Sequence, residues 1–322
     1  MSYNCLECEE QFDSEKSLHA HIKKHKMFLH DYFVKHFARR NLLTNELLPF
    51  KNKESYFNRD FISIEQLYQW CDMAPEETVR NYTLEKLLNR IESCELKVAP
   101  NEIELYTSFL PKIDIYKKLF KSYTYACKEI GYKPMFGGKL PEEYSVDFSE
   151  SVILTDTREQ QPLRFKNQKL QKLDVGDYAI RDNFAYTYVD RKSENDFKAT
   201  ISKDNLERFK RELERCRKME CYLFIVIEAN LYRLEVNNRK DYHKCNMGYV
   251  YHNMRLLQHE FRDCCQFVFT GSRRGSQKLI PKLLNVGKKL WNVDLQYHIN
   301  HELDNWIAKK QEQEQRHQQA HS

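Results

Sequence analysis

The sequence predicts an α/β chain: a mixed β-sheet flanked by helices, with a helical middle domain and a small ββα module ahead of it. Three observations carry this expectation. Two apolar runs, Ser151-Val-Ile-Leu-Thr155 and Cys221-Tyr-Leu-Phe-Ile-Val-Ile227, have the length and composition of buried strands. Between them lie two short stretches rich in aromatic and β-branched residues, which read as a hairpin, and a helical stretch from Asn205 to Met219. At the amino terminus, Cys5-x2-Cys8-x12-His21-x3-His25 has the ligand spacing of a Cys₂His₂ module, the ββα zinc finger.

The elements follow in chain order. In residues 1–26, Phe12 and Leu18 occupy the apolar positions of the finger. A module of this size cannot bury enough surface to fold alone, so tetrahedral Zn²⁺ on Cys5, Cys8, His21 and His25 is expected to supply its stability. His19 competes as an imidazole, but its spacing from His25 is outside the pattern. The base-reading positions of such a finger fall on Ser14, Ser17 and Ala20, and none offers a bidentate contact to a base edge. Backbone binding, protein docking or a folded cap all stay open. Residues 27–145 carry helical periodicity in Met27–Leu43, Ile64–Met73, Thr83–Cys94 and Leu105–Ile130, with many Tyr and Phe. Those aromatics read as core, with a few available to stack on unpaired bases. Pro134, Gly137, Gly138 and Pro141 mark a linker. A sheet domain is expected over 146–292, and a Gln-, Glu-, Lys- and His-rich helix or tail over 293–322, partly disordered.

The chemistry concentrates in Gly176–Asp196, GDYAIRDNFAYTYVDRKSEND. Asp177–Arg181 and Phe184–Asp190 form the hairpin arms, with Asp182-Asn183 as the turn. Side chains alternate along a strand, so Tyr188, Asp190 and Lys192 share a face. A two-residue turn pairs Arg181 with Phe184 and sets Asp177 opposite Tyr188, on the face of Asp190 and diagonal to it. A three-residue turn would put Asp177 on the wrong face unless a bulge restored it. Two carboxylates and a lysine on neighbouring strand ends suit metal-assisted phosphodiester cleavage. Taken alone, an Asp-Arg-Lys triplet is a solvated charge run and a Gly-Asp pair is a turn. Their combination with Asp156-Thr157-Arg158-Glu159, at the end of the first apolar run, points to a site.

With these residues in view, the segment from about 150 to 290 resembles the XPF-type nuclease domain of the PD-(D/E)xK superfamily. The family pattern is Gly-Asp, a gap, Glu-Arg-Lys, three residues, Asp. This chain has Gly176-Asp177, twelve residues, Asp190-Arg191-Lys192, Ser193-Glu194-Asn195 and Asp196. The family's Asp-x-Arg-Glu element is matched by Asp156 to Glu159. Asp190 replaces the usual glutamate, and the stretch past Trp291 is too short for the tandem helix-hairpin-helix modules the family carries. The resemblance implies a restriction-endonuclease-like mixed sheet and a Mg²⁺- or Mn²⁺-dependent DNA endonuclease giving 5′-phosphate and 3′-hydroxyl ends. Asp177 and Asp190 would be the principal metal ligands, with the Arg191 carbonyl nearby, and Lys192 would serve the water or the transition state. Asp156, Glu159 and Asp196 would be supporting carboxylates. Arg158 and Arg191 would touch the phosphate or buttress those carboxylates, and an ion pair of Arg158 within the Asp156/Glu159 cluster is the structural alternative. Glu228, at the end of the second run, reads as structural.

The same resemblance implies flap, fork or junction DNA as substrate, in repair or recombination, and a homodimer or heterodimer through the nuclease domain. A DNA-binding scaffold with an idle site and a zinc-finger adaptor that recruits other proteins are the alternatives. Net charge is only +5, so the local runs matter more. Glu207–Lys218 mixes both signs, whereas Arg273–Lys289 has six basic residues and no acidic one; each run reads as phosphate contacts or as a solvated helix face. Ten cysteines without an apolar leader, and no stretch long enough to span a bilayer, suggest a soluble intracellular protein, nuclear or cytoplasmic according to its host. The His243–Cys265 stretch, with His252, His259 and Cys264, matches no familiar ligand pattern.

Overall fold

The computed structural model describes residues 2–181, 186–240 and 245–302. The chain divides into two compact units, Met1–Leu88 with Ser108–Ser122, and Asn89–Thr107 with Tyr123–Ser322. Their elements are numbered along the chain.

In the first unit β1 (Tyr3–Asn4) and β2 (Gln11–Phe12) pair antiparallel, and α1 (Glu15–Ile22) completes the ββα module. Ser14 caps α1 by accepting the Ser17 amide at 3.1 Å. The module shares its core with α2 (Leu29–His36): Cys5, Leu18, Ile22, Tyr32, Phe33, Leu48 and Tyr56 form one buried cluster. The loop between the two cysteines is tied to α2 as well. The Leu6 amide donates to Tyr32 Oη at 2.8 Å, and Glu7 accepts from Lys35 at 2.7 Å and His36 at 2.5 Å. Four more helices follow in this unit or run out of it: α3 (Lys53–Asn58), α4 (Ile64–Met73), α5 (Glu76–Ser93) and, further on, α7 (Ile113–Phe120). Asp60 gathers Arg39, Lys86 at 2.6 Å and Tyr82 at 3.0 Å.

The second unit begins with α6 (Glu102–Thr107) and α8 (Tyr123–Glu129). Where the periodicity predicts one helix over Leu105–Ile130, the structure has three. The breaks fall at Phe109 (φ 62), just before Pro111, and at Lys121 (φ 66), because neither positive φ nor proline continues a helix. The sheet has six strands in the order β4-β3-β5-β6-β7-β8. They are β3 (Val152–Thr155), β4 (Asn167–Leu170), β5 (Tyr178–Ile180), β6 (Thr187–Lys192), β7 (Tyr222–Ile227) and β8 (Cys265–Phe269). β5 runs antiparallel to β3 and β6, and the other pairings are parallel. This is the mixed sheet flanked by helices that the sequence predicts.

Helices α9 (Glu194–Thr200), α10 (Lys203–Lys218), α11 (Leu234–Lys240), α12 (Met247–Glu260) and α13 (Arg273–Val286) complete the unit. β7 is buried along its whole length and alternates between two cores. Leu223, Ile225 and Ile227 pack with Phe197, Phe209, Leu213 and Leu257 of α9, α10 and α12. Tyr222, Phe224 and Val226 pack with Leu279, Ile280 and Leu283 of α13. Side chains close the β8 edge: Gln266 exchanges hydrogen bonds with Val293 and Leu295, and Gln296 accepts the Phe269 amide at 2.8 Å. Among the described residues no helix is long and apolar enough to cross a membrane.

Candidate active site

Gly176 shapes the entry to the site. Its φ is +63°, and a Cβ there would stand 2.7 Å from the Val189 carbonyl, so only glycine lets the chain press this close to β6. The next residue, Asp177, donates its amide to that carbonyl at 2.7 Å. Tyr178 pairs with Val189, and both side chains enter the core beneath α13. Their neighbours Asp177 and Asp190 therefore point to the opposite face. The Arg191 amide donates to Asp177 Oδ2 at 2.7 Å, which holds this carboxylate against β6 between Asp190 and Lys192. The observed pairing lies two residues from the one a two-residue turn predicts. An even shift leaves every side chain on its predicted face. The turn residues Asp182 and Asn183, and Phe184, lie outside the described residues.

Lys192 shares the face of Asp190. Its Nζ is 2.8 Å from Asp190 Oδ2 and 5.3 Å from the centre of the Phe209 ring on α10. Asp190 is buried, and its Oδ2 has the ion pair with Lys192 but no hydrogen bond. Burial, and then the Asp190 charge, push the Asp177 carboxyl up to about 8, against the pull of the Arg191 amide. Burial works to discharge Lys192, but Asp190 overcomes it and the ammonium is held more firmly than usual.

On the other face Arg191 is enclosed. Its guanidinium lies 3.1 Å from Glu159 and 3.0 Å from Glu228, and it donates to the Gln161 carbonyl at 3.1 Å. All three side chains of this cluster are more than nine-tenths buried. Arg273 extends the cluster: it stands 3.7 Å from Glu228 and donates to the Gln161 and Pro162 carbonyls at 2.8 Å. Glu228, at the end of its strand, is thus an ion-pair partner of Arg191 and Arg273.

Asp156 lies beside Asp177, its amide donating to the Asp177 carbonyl at 2.8 Å, but its side chain and that of Asp196 have partners of their own. Asp156 follows β3 and has both oxygens engaged: Oδ1 by the Arg158 amide and Nε, Oδ2 by Arg158 Nη2 and the Leu173 amide. The Arg158 guanidinium holds the Asp156 carboxyl down at about 2 despite burial. Asp196 is the third residue of α9 and closes a capping box with Ser193, from whose hydroxyl it accepts at 2.6 Å.

One carboxylate that spacing alone does not single out feels the charge of the site. Glu212 lies on α10, one turn after Phe209, and burial followed by the Asp190 charge raises its pKa. The available signal was its i+3 spacing from a core phenylalanine within a charged helix. Of the basic residues around it, Arg217 pairs with Asp263 at 2.6 Å, Arg215 donates to the Asp174 carbonyl, and Lys210 is 3.8 Å from Glu260.

The finger offers a second kind of site. Ligand atoms of Cys5, Cys8, His21 and His25 all lie within 4.8 Å of one another, the only such cluster of three or more among the described residues. His21 turns its Nδ1 toward Glu10 at 3.5 Å, leaving Nε2 for the centre of the cluster. The donor set fits tetrahedral Zn²⁺. Of the residues in the later His/Cys stretch, His259 pairs with Glu104 at 2.5 Å, Cys245 hydrogen-bonds Asn238, and Cys264 and Cys265 are buried; His243 lies outside the described residues.

No family model matches the sequence, and no curated protein matches it. Among solved structures the chain is similar to XPF from Aeropyrum pernix, with 19% identity over 42% of this chain and 66% of that one and a TM-score of 0.32. It is also similar to XPF from Aeropyrum pernix in complex with DNA, with 19% identity over 43% and 66% and a TM-score of 0.33. The similarity thus spans just under two thirds of each of those chains and less than half of this one.

Proposed function

We propose that this chain is a metal-dependent DNA endonuclease that hydrolyses phosphodiester bonds. One observation supports this above the rest: Asp177 and Asp190, from adjoining strands, share a face with Lys192, whose ammonium meets the buried Asp190 at 2.8 Å. Like charges buried together are costly, and a hard divalent cation is the ligand that relieves them. Asp177 and Asp190 would hold Mg²⁺ or Mn²⁺, which when bound polarises a phosphoryl oxygen and acidifies water. The chain's own groups do the rest. The Arg191 amide fixes the Asp177 carboxylate, and the Glu159–Arg191–Glu228 cluster fixes the strand that carries that amide. Lys192, held protonated by Asp190, has no lone pair to act as a base. Its work is to oppose charge on a non-bridging phosphate oxygen or to orient water. Asp156, Arg158 and Asp196 serve the shape of the site rather than its chemistry. The exposed Arg208, Arg211, Arg274 and Lys278 would meet the DNA backbone, giving salt-dependent binding.

Flap, fork or junction DNA is the proposed substrate, with a role in repair or recombination and pairing through the sheet-bearing unit. A scaffold with an idle site has one observation in its favour: Lys192 already neutralises Asp190, and that contact must loosen to admit a cation. Labelled fork, flap, duplex and single-stranded DNA, incubated with Mg²⁺, Mn²⁺ or a chelator, separate the two readings. Metal-dependent cleavage that vanishes in Asp190→Ala while DNA binding persists is expected. Intact DNA under every metal condition, with binding retained, makes the chain a scaffold.

A further inference from the structure

We propose that the exit of the finger is a docking surface for an unpaired nucleic-acid strand, with Lys23, Lys24 and Lys26 on its phosphates and the Phe28 ring stacked on a base. The proposal stands on the first unit alone and is independent of the sheet site. Residues 16–30 hold four lysines and no Asp or Glu. Three of those lysines, Lys23, Lys24 and Lys26, crowd the point where α1 ends, and all three are exposed. Among the described residues none of the three pairs with an acid. The nearest acids on either side are engaged elsewhere: Glu15 lies 3.3 Å from His19 and 3.0 Å from Lys53, and Asp31 lies 3.0 Å from His30. A positive run without counter-charge is complementary to a polyanion. Lysines at a helix C-terminus also answer the helix dipole, and that is the competing role.

Phe28 is the second, independent observation. Met27 and Leu29 pack against the finger core, and the backbone at Phe28 is extended, so its side chain leaves on the opposite side. The ring is 72% exposed. It lies parallel to the His30 ring, with centroids 5.6 Å apart and planes 14° apart. A stacked pair at the surface adds little to the core, and it is the flat platform on which a base stacks. Lys26 is two residues away, within about 7 Å along the backbone, so ring and ammonium can meet one nucleotide. A membrane surface would need a broader apolar face, but Met27 and Leu29 are withdrawn into the core. None of these groups reads a base edge, so binding should be indifferent to sequence.

The test is fluorescence anisotropy of labelled oligo-dT with the full, zinc-loaded chain, without Mg²⁺ or Mn²⁺, over a range of salt. Phe28→Ala should weaken binding roughly 5- to 100-fold, leave the salt slope unchanged and cost far less on a duplex of equal length. Changing Lys23, Lys24 and Lys26 together to Gln should flatten the slope of log K against log salt by about 2. Phe28→Trp should restore affinity, and its emission should be quenched by the oligonucleotide. The Tm of the Phe28→Ala and triple-Gln chains should match the wild type. A lowered Tm in the triple-Gln chain with an unchanged salt slope would assign the lysines to the helix dipole and overturn the proposal. Equal losses on duplex and single strand in Phe28→Ala would overturn the stacking role. Binding of anionic phospholipid vesicles through the same side chains, with none of oligo-dT, would make this a membrane surface instead.

Discussion

The finger and the sheet bring their metal-ligating side-chain types together by opposite means. In the finger, Cys5, Cys8, His21 and His25 converge through a hairpin and a helix within about one module of sequence, and Tyr32, Lys35 and His36 of α2 steady the cysteine loop. In the sheet, Asp177 and Asp190 are brought together by strand pairing with one partner each, the Arg191 amide and the Lys192 ammonium, while Asp156 has all the partners it can use. A structural metal site is closed and completes a core. The sheet site, as proposed, keeps charge in reserve at a cost in stability.

That contrast can be broken first at the finger. Because Cys5, Tyr32 and Leu48 share one core, Cys5→Ser or zinc chelation should remove about 10 kcal/mol of metal-binding free energy and unfold α2 along with the finger. Hydrogen exchange should quicken across residues 2–57 and stay slow across β3 to β8. Protection of Tyr32 and Leu48 in the chelated protein would show that α2 does not depend on the metal.

The buried cluster behind the site comes next. Glu228→Ala leaves Arg191 with Glu159 alone and should cost about 3 kcal/mol of stability, read by denaturant unfolding. An unchanged midpoint would mean that Arg191 finds another partner. Lys192→Ala should lower kcat about 100-fold or more with little change in DNA affinity. A rise in KM with kcat intact would make Lys192 a binding residue instead.

Asp177→Asn gives the sharpest contrast, because it should stabilise the metal-free chain. The folded carboxyl titrates at about 8, above its unfolded value, so between about pH 4 and that point the native state holds a proton the unfolded state has released. Stability therefore falls as pH rises through this window, and the penalty is complete above it. The variant should gain a few degrees in Tm at pH 9 and nothing at pH 4. A loss of stability at pH 9 would show that Asp177 is held as a structural anion.

Much of this was legible because it depends on parity and spacing. The four finger ligands follow from local spacing, and the face shared by Asp177, Asp190 and Lys192 survives a register two residues away from the expected one. The long helix read over Leu105–Ile130 failed for a physical reason, since the positive φ of Phe109 and Lys121 leaves no mark in an apolar period. Cys264 and Cys265 suggest ligands by composition, yet Cys265 opens strand β8. Roles set by tertiary contact could not be read. Asp156, Glu159 and Asp196 are alike as acidic residues near a motif, and only their partners distinguish an Arg158 pair, an Arg191 clamp and a helix cap. Glu212 is hidden for the converse reason, as one acid among many on a charged helix, set apart only by burial and the Asp190 charge, which raise its pKa.

The central claim is that Asp177 and Asp190 grip one cation. A crystal of the zinc-loaded protein soaked in Mn²⁺ tests it most directly through anomalous scattering. The account predicts a manganese peak bonded to an oxygen of each carboxylate, with Lys192 displaced from Asp190. Manganese bound elsewhere, with the Lys192–Asp190 ion pair intact in a saturating soak, would contradict it.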